Sequence, residues 1–309
     1  MEKIFVSIAC FMDIDIVNTI EDCLKQAKHP ERIIFGICYQ YDPTDEDCLQ
    51  IYNNNKQFRI NRIHYNESKG PTYARGIIYN MFKDEDYYFQ IDCHTRFFKN
   101  WDTKVIACLN ECKKRNNKAI LSYYPFDTNT KTVNKKSIAI CDTSKIGVIS
   151  EKLGIRTGSK LVLLKRCPKK NLDISAAMLF FDKNAYNDVV FDDTLYHGYH
   201  FEEQTLLAIR YWTSGYDIFT PSNHIILTEY KTNRKRLKIQ PFLNIKMKQN
   251  SFDLTCHRLK LKYNSKFKNY NKSLLGNERS VEDYFKMIGI VDKLNEVFPN
   301  NFLQFNKDN

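Results

Sequence analysis

The chain has 309 residues, of which 43% are hydrophobic, with only ten glycines and eight prolines, a composition typical of an ordered globular protein. Its net charge of +11 is concentrated in residues 231–272, where thirteen lysines and arginines face one acid, so the remainder is nearly neutral. This distribution argues against a protein that binds nucleic acid over its whole surface. With no signal peptide and no apolar run of roughly 20 residues, we expect a cytoplasmic protein.

The ten cysteines are scattered along the chain, and none of them forms a Cys-x-x-Cys pair. That spacing indicates neither a zinc ribbon nor a thioredoxin-like redox site. Several of the cysteines lie within apolar runs, where a free thiol behaves as a small hydrophobic group. We therefore predict reduced, buried cysteines.

The first half of the sequence alternates between strand and helix patterns. Helices are predicted to begin near Asp13 or Asp15, at Pro71 and at Trp101, and the last of these ends in basic residues. The predicted strands are residues 3–10, 32–40, 58–66, 87–92 and 119–125. Alternation of this kind predicts an α/β fold with a mostly parallel sheet, in which ligands bind beyond the carboxyl ends of the strands.

The second half has weaker periodicity at first. Residues 127–170 are interpreted as a long excursion with short strands. We expect it to lie near a substrate groove, because ligand sites are often formed by loops. A strand at 174–183, a helix from Glu202 closed by Gly215, and two strands at 216–221 and 224–230 follow.

A carboxylate and an imidazole close the fourth predicted strand, as Asp92-Cys93-His94. Residues two apart in an extended chain point the same way, so Asp92 and His94 can share one cation, which would offset the charge of a diphosphate. The alternative is a strand-end aspartate that caps the next turn, with His94 simply exposed. Spacing alone favours the alternative, because short motifs of this type are common by chance.

A second polar cluster, HGYHFEEQ, contains His197, His200, Glu202 and Glu203. Its spacing is not that of a helical zinc protease. A helix N-terminus carrying acids that complement its dipole, or a loop that grips an acceptor hydroxyl, explains the cluster as well. The stretch ESKGPTYAR is a third candidate, since a proline at a helix start and the nearby Arg75 can form an anion-binding corner.

Taken in order, seven segments resemble one family, the cytoplasmic N-acetylglucosaminyltransferases that glycosylate hydroxyproline on a ubiquitin-ligase adaptor subunit. That family is in turn similar to the polypeptide N-acetylgalactosaminyltransferases of the secretory pathway. The segments span nearly the whole chain, with poor similarity around 127–170. They are IFVSIAC, TIEDCLKQAKHPERIIFGICYQ, KGPTYAR, YYFQIDCHTRFFKNWD, ISAAMLFF, HFEEQTLLAIRYWTSGYDIFTP and LLGNERSVEDYFKMIGI.

The resemblance implies a GT-A glycosyltransferase fold and a UDP-sugar donor, expected to be UDP-GlcNAc. It also implies a divalent metal, Mn²⁺ or else Mg²⁺, and retention of the sugar's α configuration. Asp92 and His94 would form the D-x-H metal site. A metal there, helped by a cationic side chain, would stabilise the charge on the departing phosphate.

Further site residues follow from the same resemblance. Phe11 and Asp13 would lie near the uridine, Cys93 would sit within the metal-binding loop, and Arg75 would lie near the diphosphate or that loop. Glu202 and Glu203 would face the donor sugar and the acceptor, with Glu203 orienting groups rather than acting as a nucleophile.

Two more expectations concern how side chains pack. Cys93 is expected to point away from Asp92 and His94 and to pack in the core. Trp212 is expected to pack its own helix rather than touch substrate.

The sequence departs from the family pattern at one position. In the family a histidine on the strand before the basic segment completes the metal site, and here the matching residue is Thr228. His224 and Glu229 are close in sequence but not in the aligned place. The departure implies an extra water on the metal, weaker metal binding, or a change in donor or activity.

We expect residues 1–230 to form the catalytic domain, and residues 231–309 to be a basic segment and helical extension packed on it. The basic segment is interpreted either as a solvated connection or as a surface for an acidic acceptor, a membrane or nucleic acid. The leading hypothesis is transfer of a sugar to a hydroxyl on protein or glycan. The alternative is a nucleotide-sugar or glycan-binding module on a decayed transferase scaffold, with no stable nucleic-acid partner in either case.

Overall fold

The computed structural model places an eight-stranded sheet at the centre of the protein. It describes residues 1–129, 136–150, 154–192, 194–196, 201–230, 245–262, 264–267 and 274–298. The first half of the sheet consists of β1 Ile4–Phe11, β2 Ile33–Tyr41, β3 Phe58–His64 and β4 Tyr87–Asp92. These four strands are parallel, with β1 between β2 and β4, as the alternating pattern predicts.

Helices connect the parallel strands and cover both faces of the sheet. They are α1 Ile16–Gln26, α2 Pro71–Tyr79 and α3 Trp101–Lys113. Pro71 occupies the first turn of α2, where its missing N–H costs no hydrogen bond. Burial on both faces explains why the strands are nearly continuous apolar runs: Phe5 packs in one core cluster, and its neighbours Ile4 and Val6 pack in the other.

The second half of the sheet mixes strand directions. Its members are β6 Ala119–Ser122, β10 Lys170–Asn171, β11 Met178–Asp182 and β12 Asp217–Phe219. The order across the sheet is β10-β12-β6-β11-β4-β1-β2-β3. β11 runs antiparallel between β4 and β6, and its chain enters the sheet beside the carboxyl end of β4. The segment before β11 therefore reaches the edge at which Asp92 lies.

After β4 the chain enters a small second sheet. It is formed by β5 Thr95–Phe97, β7 Phe126–Asp127 and β13 Ile226–Thr228. The central strand, β13, pairs with β5 so that Thr228 lies opposite Thr95. This pairing brings the end of β13 next to the residues that follow Asp92.

The excursion between β7 and β10 differs from the sequence expectation. Instead of short strands it contains a long antiparallel hairpin, β8 Ser137–Ser150 and β9 Gly154–Leu163. Register shifts between Asp142 and Val148 interrupt the alternation of side chains, which obscures the two-residue period in the sequence.

The remaining described elements are helical. Besides five short 3-10 turns, they are α4 Lys183–Asp188, a π-helical turn Phe201–Thr205, α5 Leu206–Thr213, α6 Ile245–Arg258, α7 Val281–Met287 and α8 Val291–Val297. Gly215, with a φ of +86°, ends α5 in the left-handed conformation that glycine adopts without strain. Tyr284 of α7 is buried and donates a hydrogen bond to the Leu172 carbonyl, which attaches this C-terminal region to the sheet.

All ten cysteines are free, and eight of them are buried, in agreement with the predicted thiols. None of the helices in the described part of the chain has the length and apolar character needed to span a bilayer.

Candidate active site

The candidate site lies where the carboxyl ends of β1 and β4 meet. β1 ends at Phe11, two residues before Asp13, and β4 ends at Asp92. The chain then bends at Cys93 and His94 before β5 begins. Because β1 and β4 are parallel neighbours in register, residues 81 positions apart in sequence share one edge of the sheet.

Asp92 and His94 lie side by side at this edge. Asp92 Oδ2 is 4.0 Å from His94 Nε2, and the Asp92 side chain is 29% exposed whereas His94 is buried. A cation bound between a carboxylate and an imidazole needs ligand atoms this close together. It also needs access from solvent, which the exposed part of Asp92 provides. The strand-end alternative, with His94 exposed, does not describe the structure.

The other ring nitrogen of His94 faces Asp13, whose carboxylate is almost fully buried. His94 Nδ1 and Asp13 Oδ2 are 3.2 Å apart. Burial alone would lower the pKa of the His94 imidazole, but hydrogen bonds to Asp13 and Cys93 and the charge of Asp92 raise it to about 10. Without a cation the imidazole is therefore protonated at neutral pH, and a metal at Nε2 must replace a proton.

Cys93 is buried as expected, but its thiol does not point away from the polar residues. Its Sγ atom is 3.5 Å from His94 Nδ1. The chain bends after Asp92, so the strict alternation of an extended strand no longer holds at Cys93. The expectation that the thiol points away from His94 is wrong for this reason.

Arg75 of α2 links the site to the second half of the chain. Its Nη2 is 3.3 Å from Asp92 Oδ1 and 3.1 Å from the Ala176 carbonyl oxygen, and its Nε is 2.6 Å from Glu203 Oε1. The side chain is 4% exposed. A cation this deeply buried requires carboxylate partners, which Asp92 and Glu203 provide.

Glu203 lies in the π-helical turn that precedes α5. Burial raises the pKa of its carboxyl above the ordinary value, and the neighbouring Arg75 guanidinium opposes that shift. Burial alone would lower the pKa of Arg75. The charges of Glu203 and Asp92 raise that pKa by more, so the guanidinium stays charged. Glu202 and Glu203 both line a small cavity beside Arg75.

A larger cavity of about 280 Å³ opens next to Asp92. Its walls come from the segment before β11, the π-helical turn and the end of β13, and many of its wall groups are polar. The polar side chains in its lining are Asp92, Tyr124, Asp173, Ser175, Gln204, Thr205 and Tyr230. Apart from Asp92, the sequence reasoning singled out none of these residues, because only the sheet topology brings them together.

Thr228 is the residue that the resemblance aligns with a metal-binding histidine, and that alignment stays a prediction. It is fully buried, and its Oγ1 makes no hydrogen bond within the described residues. The backbone N–H of the next residue, Glu229, donates to the His94 carbonyl oxygen at 2.8 Å. Two sequence neighbours of Thr228 also carry possible ligand groups. The Glu229 carboxylate accepts hydrogen bonds from Thr128 and Asn129. The His224 ring stacks on Phe98.

The other predicted residues have different outcomes. Phe11 ends β1 and is partly exposed at the same edge, so its proximity to uridine stays a prediction, as does that of Asp13. Trp212 donates from Nε1 to the Ser280 carbonyl and lies under Arg279, which is the packing role expected for it. His197 and His200 lie outside the described residues.

The donor set fits a divalent cation of intermediate hardness. Asp92 supplies a partly exposed carboxylate and His94 supplies an imidazole whose second nitrogen is held by Asp13, the arrangement common behind metal-binding histidines. Such oxygen and nitrogen donors suit Mn²⁺.

Comparison with solved structures defines the class of protein. The crystal structure of GalNAc-T7 with UDP, GalNAc and Mn²⁺ matches 97% of this chain with a TM-score of 0.59 at 11% identity. This chain spans 58% of the length of that structure. S. aureus TarS 1–349 in complex with UDP-GlcNAc matches 96% of this chain and 83% of its own, at 12% identity and a TM-score of 0.47. The match to GalNAc-T7 shows that the architecture is the GT-A glycosyltransferase fold.

Sequence comparison identifies the family within that class. The profile described as "Glycosyltransferase (GlcNAc)" matches residues 3–57 and 50–293, and the chain belongs to this family. A search of curated proteins gives no match to this chain.

Proposed function

We propose that the protein transfers a sugar, N-acetylglucosamine in the first instance, from a UDP-sugar to a hydroxyl group, with retention of the anomeric configuration. The observation that carries the proposal is the convergence of Asp92, His94, Arg75 and Glu203 at the carboxyl edge of the sheet, where Asp92 lines the 280 Å³ cavity. Family membership and the GT-A fold support a UDP-sugar as the donor.

Asp92 and His94 would hold the divalent cation, with Mn²⁺ favoured over Mg²⁺ because of the imidazole ligand. When bound, the cation supplies positive charge to the diphosphate that leaves from the sugar. Asp13 fixes the orientation of the His94 ring through Nδ1 and leaves Nε2 directed toward Asp92. The GalNAc-T7 structure contains UDP and Mn²⁺ together, which supports this choice of cofactor.

Arg75 is the fixed cation of the site. Because it is buried and bonded to Asp92, Glu203 and the Ala176 carbonyl, it holds three segments of the chain at the distances they need for the donor. Its charge lies beside the position at which negative charge develops, which is how preorganised cations lower the energy of a transition state.

Glu203 is proposed to orient the donor sugar and the acceptor. A carboxylate that shares a 2.6 Å ion pair with Arg75 is a poor nucleophile, because attack would break that pair in a buried environment. Transfer with retention then proceeds by front-face attack of the acceptor hydroxyl, and its proton passes to the departing phosphate. No protein base is required for this step.

The acceptor is proposed to be a hydroxyl on a polypeptide or a glycan. The resemblance to the hydroxyproline-modifying enzymes supports a polypeptide, and the polar lining of the 280 Å³ cavity can accept a sugar or a hydroxylated side chain. In the described part of the basic segment, α6 carries the exposed lysines Lys246 and Lys248, which favour an acceptor with negative charge.

A second candidate function is binding of a nucleotide sugar or glycan without turnover. Thr228 favours it, since a buried threonine in place of a histidine leaves the metal with fewer protein ligands. Tight UDP binding together with no turnover of any UDP-sugar would establish this alternative.

The test compares two aspartate variants in a UDP-sugar hydrolysis and transfer assay containing Mn²⁺. Asp92→Ala removes a proposed metal ligand and is expected to reduce kcat by at least 100-fold, the scale of losing a key electrostatic group. Asp84→Ala, at a carboxylate that is 97% exposed, is the matched control and is expected to leave the rate unchanged. Equal activity of the two variants would reject the proposed site.

A further inference from the structure

A second set of metal-binding atoms lies behind the D-x-H pair, on the opposite side of the His94 ring. His94 Nδ1 is 3.2 Å from Asp13 Oδ2 and 3.5 Å from Cys93 Sγ. The three ligand atoms all lie within 4.8 Å of one another. The three residues are no more than 6% exposed, so this group is enclosed by protein whereas Asp92 faces the cavity.

A second thiol adjoins this group because of the strand register. β1 and β4 pair with Ala9 opposite Asp92, so the next residues along, Cys10 and Cys93, are neighbours across the two strands. Cys10 is fully buried and donates from Sγ to the Asp13 carbonyl oxygen at 3.2 Å. Cys10 Sγ is not among the atoms that lie within 4.8 Å of one another, so the enclosed group offers one sulfur, one nitrogen and one carboxylate.

The observed spacings match those between ligands of a tetrahedral zinc ion. Zinc–sulfur and zinc–nitrogen bonds of about 2.3 and 2.0 Å place neighbouring ligand atoms about 3.3–3.6 Å apart. The two contacts of His94 Nδ1 agree with these values to within about 0.1 Å. Sulfur donors select Zn²⁺ and Cd²⁺, whereas the carboxylate and imidazole of the outer pair suit Mn²⁺.

We propose that Asp13, Cys93 and His94 form a buried site for a soft divalent cation such as Zn²⁺, distinct from the D-x-H site. On binding, the cation replaces the Cys93 thiol proton and the proton on His94 Nδ1, and both protons pass to solvent. A neutral imidazole has a single lone pair, so His94 that ligates through Nδ1 carries its proton on Nε2. The soft cation and the outer cation therefore exclude each other.

The first test is a titration with Cd²⁺, followed by the ultraviolet absorption of the thiolate-to-metal charge transfer. We expect the wild-type protein to develop a saturable band at one equivalent and Cys93→Ser to lose it. The matched control is Cys112→Ser, a buried thiol on α3 outside the group, which is expected to keep the band. Absence of the band from the wild type, or its persistence in Cys93→Ser, would overturn the site.

A measurement without variants covers the case in which Cys93→Ser does not fold. X-ray absorption at the zinc edge of wild-type protein loaded with one equivalent of Zn²⁺ is expected to show sulfur together with nitrogen or oxygen neighbours. A coordination shell without sulfur would contradict the proposal.

Mutual exclusion is tested separately and rests on the proposed Mn²⁺ site. In the presence of UDP, bound Mn²⁺ is measured by electron paramagnetic resonance before and after one equivalent of Cd²⁺ is added. Release of Mn²⁺ is expected. An intact cadmium band with no release of Mn²⁺ would overturn the exclusion but leave the soft site in place, and failure of Mn²⁺ to bind at all would count against the proposed function instead.

Discussion

Among individual residues, Thr228 is the position at which the site is least complete. Its hydroxyl is buried without a hydrogen-bond partner in the described structure, and such a group costs about 1–3 kcal/mol. Valine has nearly the same shape and no polar atom. We expect Thr228→Val to raise the free energy of unfolding by about 1 kcal/mol in urea denaturation. A loss of stability would show that the Thr228 hydroxyl has a hydrogen-bond partner outside the described residues.

Replacing the same residue by histidine tests its relation to the metal. If the D-x-H pair lacks a third protein ligand, Thr228→His is expected to tighten Mn²⁺ binding by about tenfold, as improved ligation around a metal commonly does. The measurement is a Mn²⁺ titration in the presence of UDP. Thr228→Val is the control, and its Mn²⁺ affinity is expected to equal that of the wild type. Equal Mn²⁺ affinities for the two variants would place Thr228 outside the metal site.

Glu203 distinguishes an orienting carboxylate from a nucleophile. Glu203→Gln keeps the shape of the side chain but weakens the contact to Arg75. We expect a reduced rate of transfer, on the order of 10–100-fold, with the anomeric configuration still retained. The product anomer is read by nuclear magnetic resonance. Inversion of configuration or complete loss of turnover would favour a covalent role for Glu203.

Between elements, one buried carboxylate attaches the segment that connects α1 and β2 to α3. Asp102, in the first turn of α3, accepts hydrogen bonds from the backbone N–H groups of Lys28 and His29 and from Arg32 Nη2 at 2.6 Å. Its side chain is fully buried. We expect Asp102→Ala to reduce the free energy of unfolding by about 3–5 kcal/mol, because Arg32 is left as an unpaired buried charge. Asp84→Ala, measured in parallel, should change it by less than about 0.5 kcal/mol.

The same contact predicts a pH dependence of stability. Burial alone would raise the pKa of Asp102. The Lys28 N–H and the Arg32 guanidinium lower that pKa by more, so the folded pKa lies below its ordinary value. The contribution is complete above the unfolded pKa of about 4 and is lost as the pH falls through the folded pKa. The stability difference between wild type and Asp102→Asn should thus be constant near neutrality and shrink only below about pH 4. A difference that shrinks near neutrality would contradict the assignment.

Much of the first half of the fold follows from local sequence. β1, β2, β4 and α1 lie within one or two residues of their predicted positions, because apolar runs and helical spacing are signals that adjacent residues carry. The long hairpin β8–β9 cannot be predicted from local sequence, because its register shifts break the two-residue period of a strand. The antiparallel direction of β11 also needs the assembled sheet.

The site is predictable only in part for the same reason. Asp92 and His94 are two residues apart, so their proximity is local information. The Arg75–Glu203 pair joins residues 128 positions apart, and the contact of His94 with Asp13 spans 81. The only signal for such pairs is that a buried charge requires a partner, and that requirement does not say which of many acids provides it.

Across the whole molecule, charge is divided between a nearly neutral body and the basic segment 231–272. If this segment attracts an acidic acceptor, raising the ionic strength should increase the acceptor KM and leave the donor KM unchanged, because screening acts on exposed charges. Steady-state kinetics at several salt concentrations provides the measurement. An acceptor KM independent of salt would assign the segment to a connection without a binding role.

The central claim concerns the use of a UDP-sugar with a metal held by Asp92 and His94. The most direct measurement is the release of UDP from a panel of UDP-sugars by the wild-type protein, with Mn²⁺ and then with excess EDTA. We predict release from UDP-GlcNAc above the other sugars with Mn²⁺, and its loss with EDTA. Release that persists in EDTA, or no release from any UDP-sugar with Mn²⁺, would contradict the account.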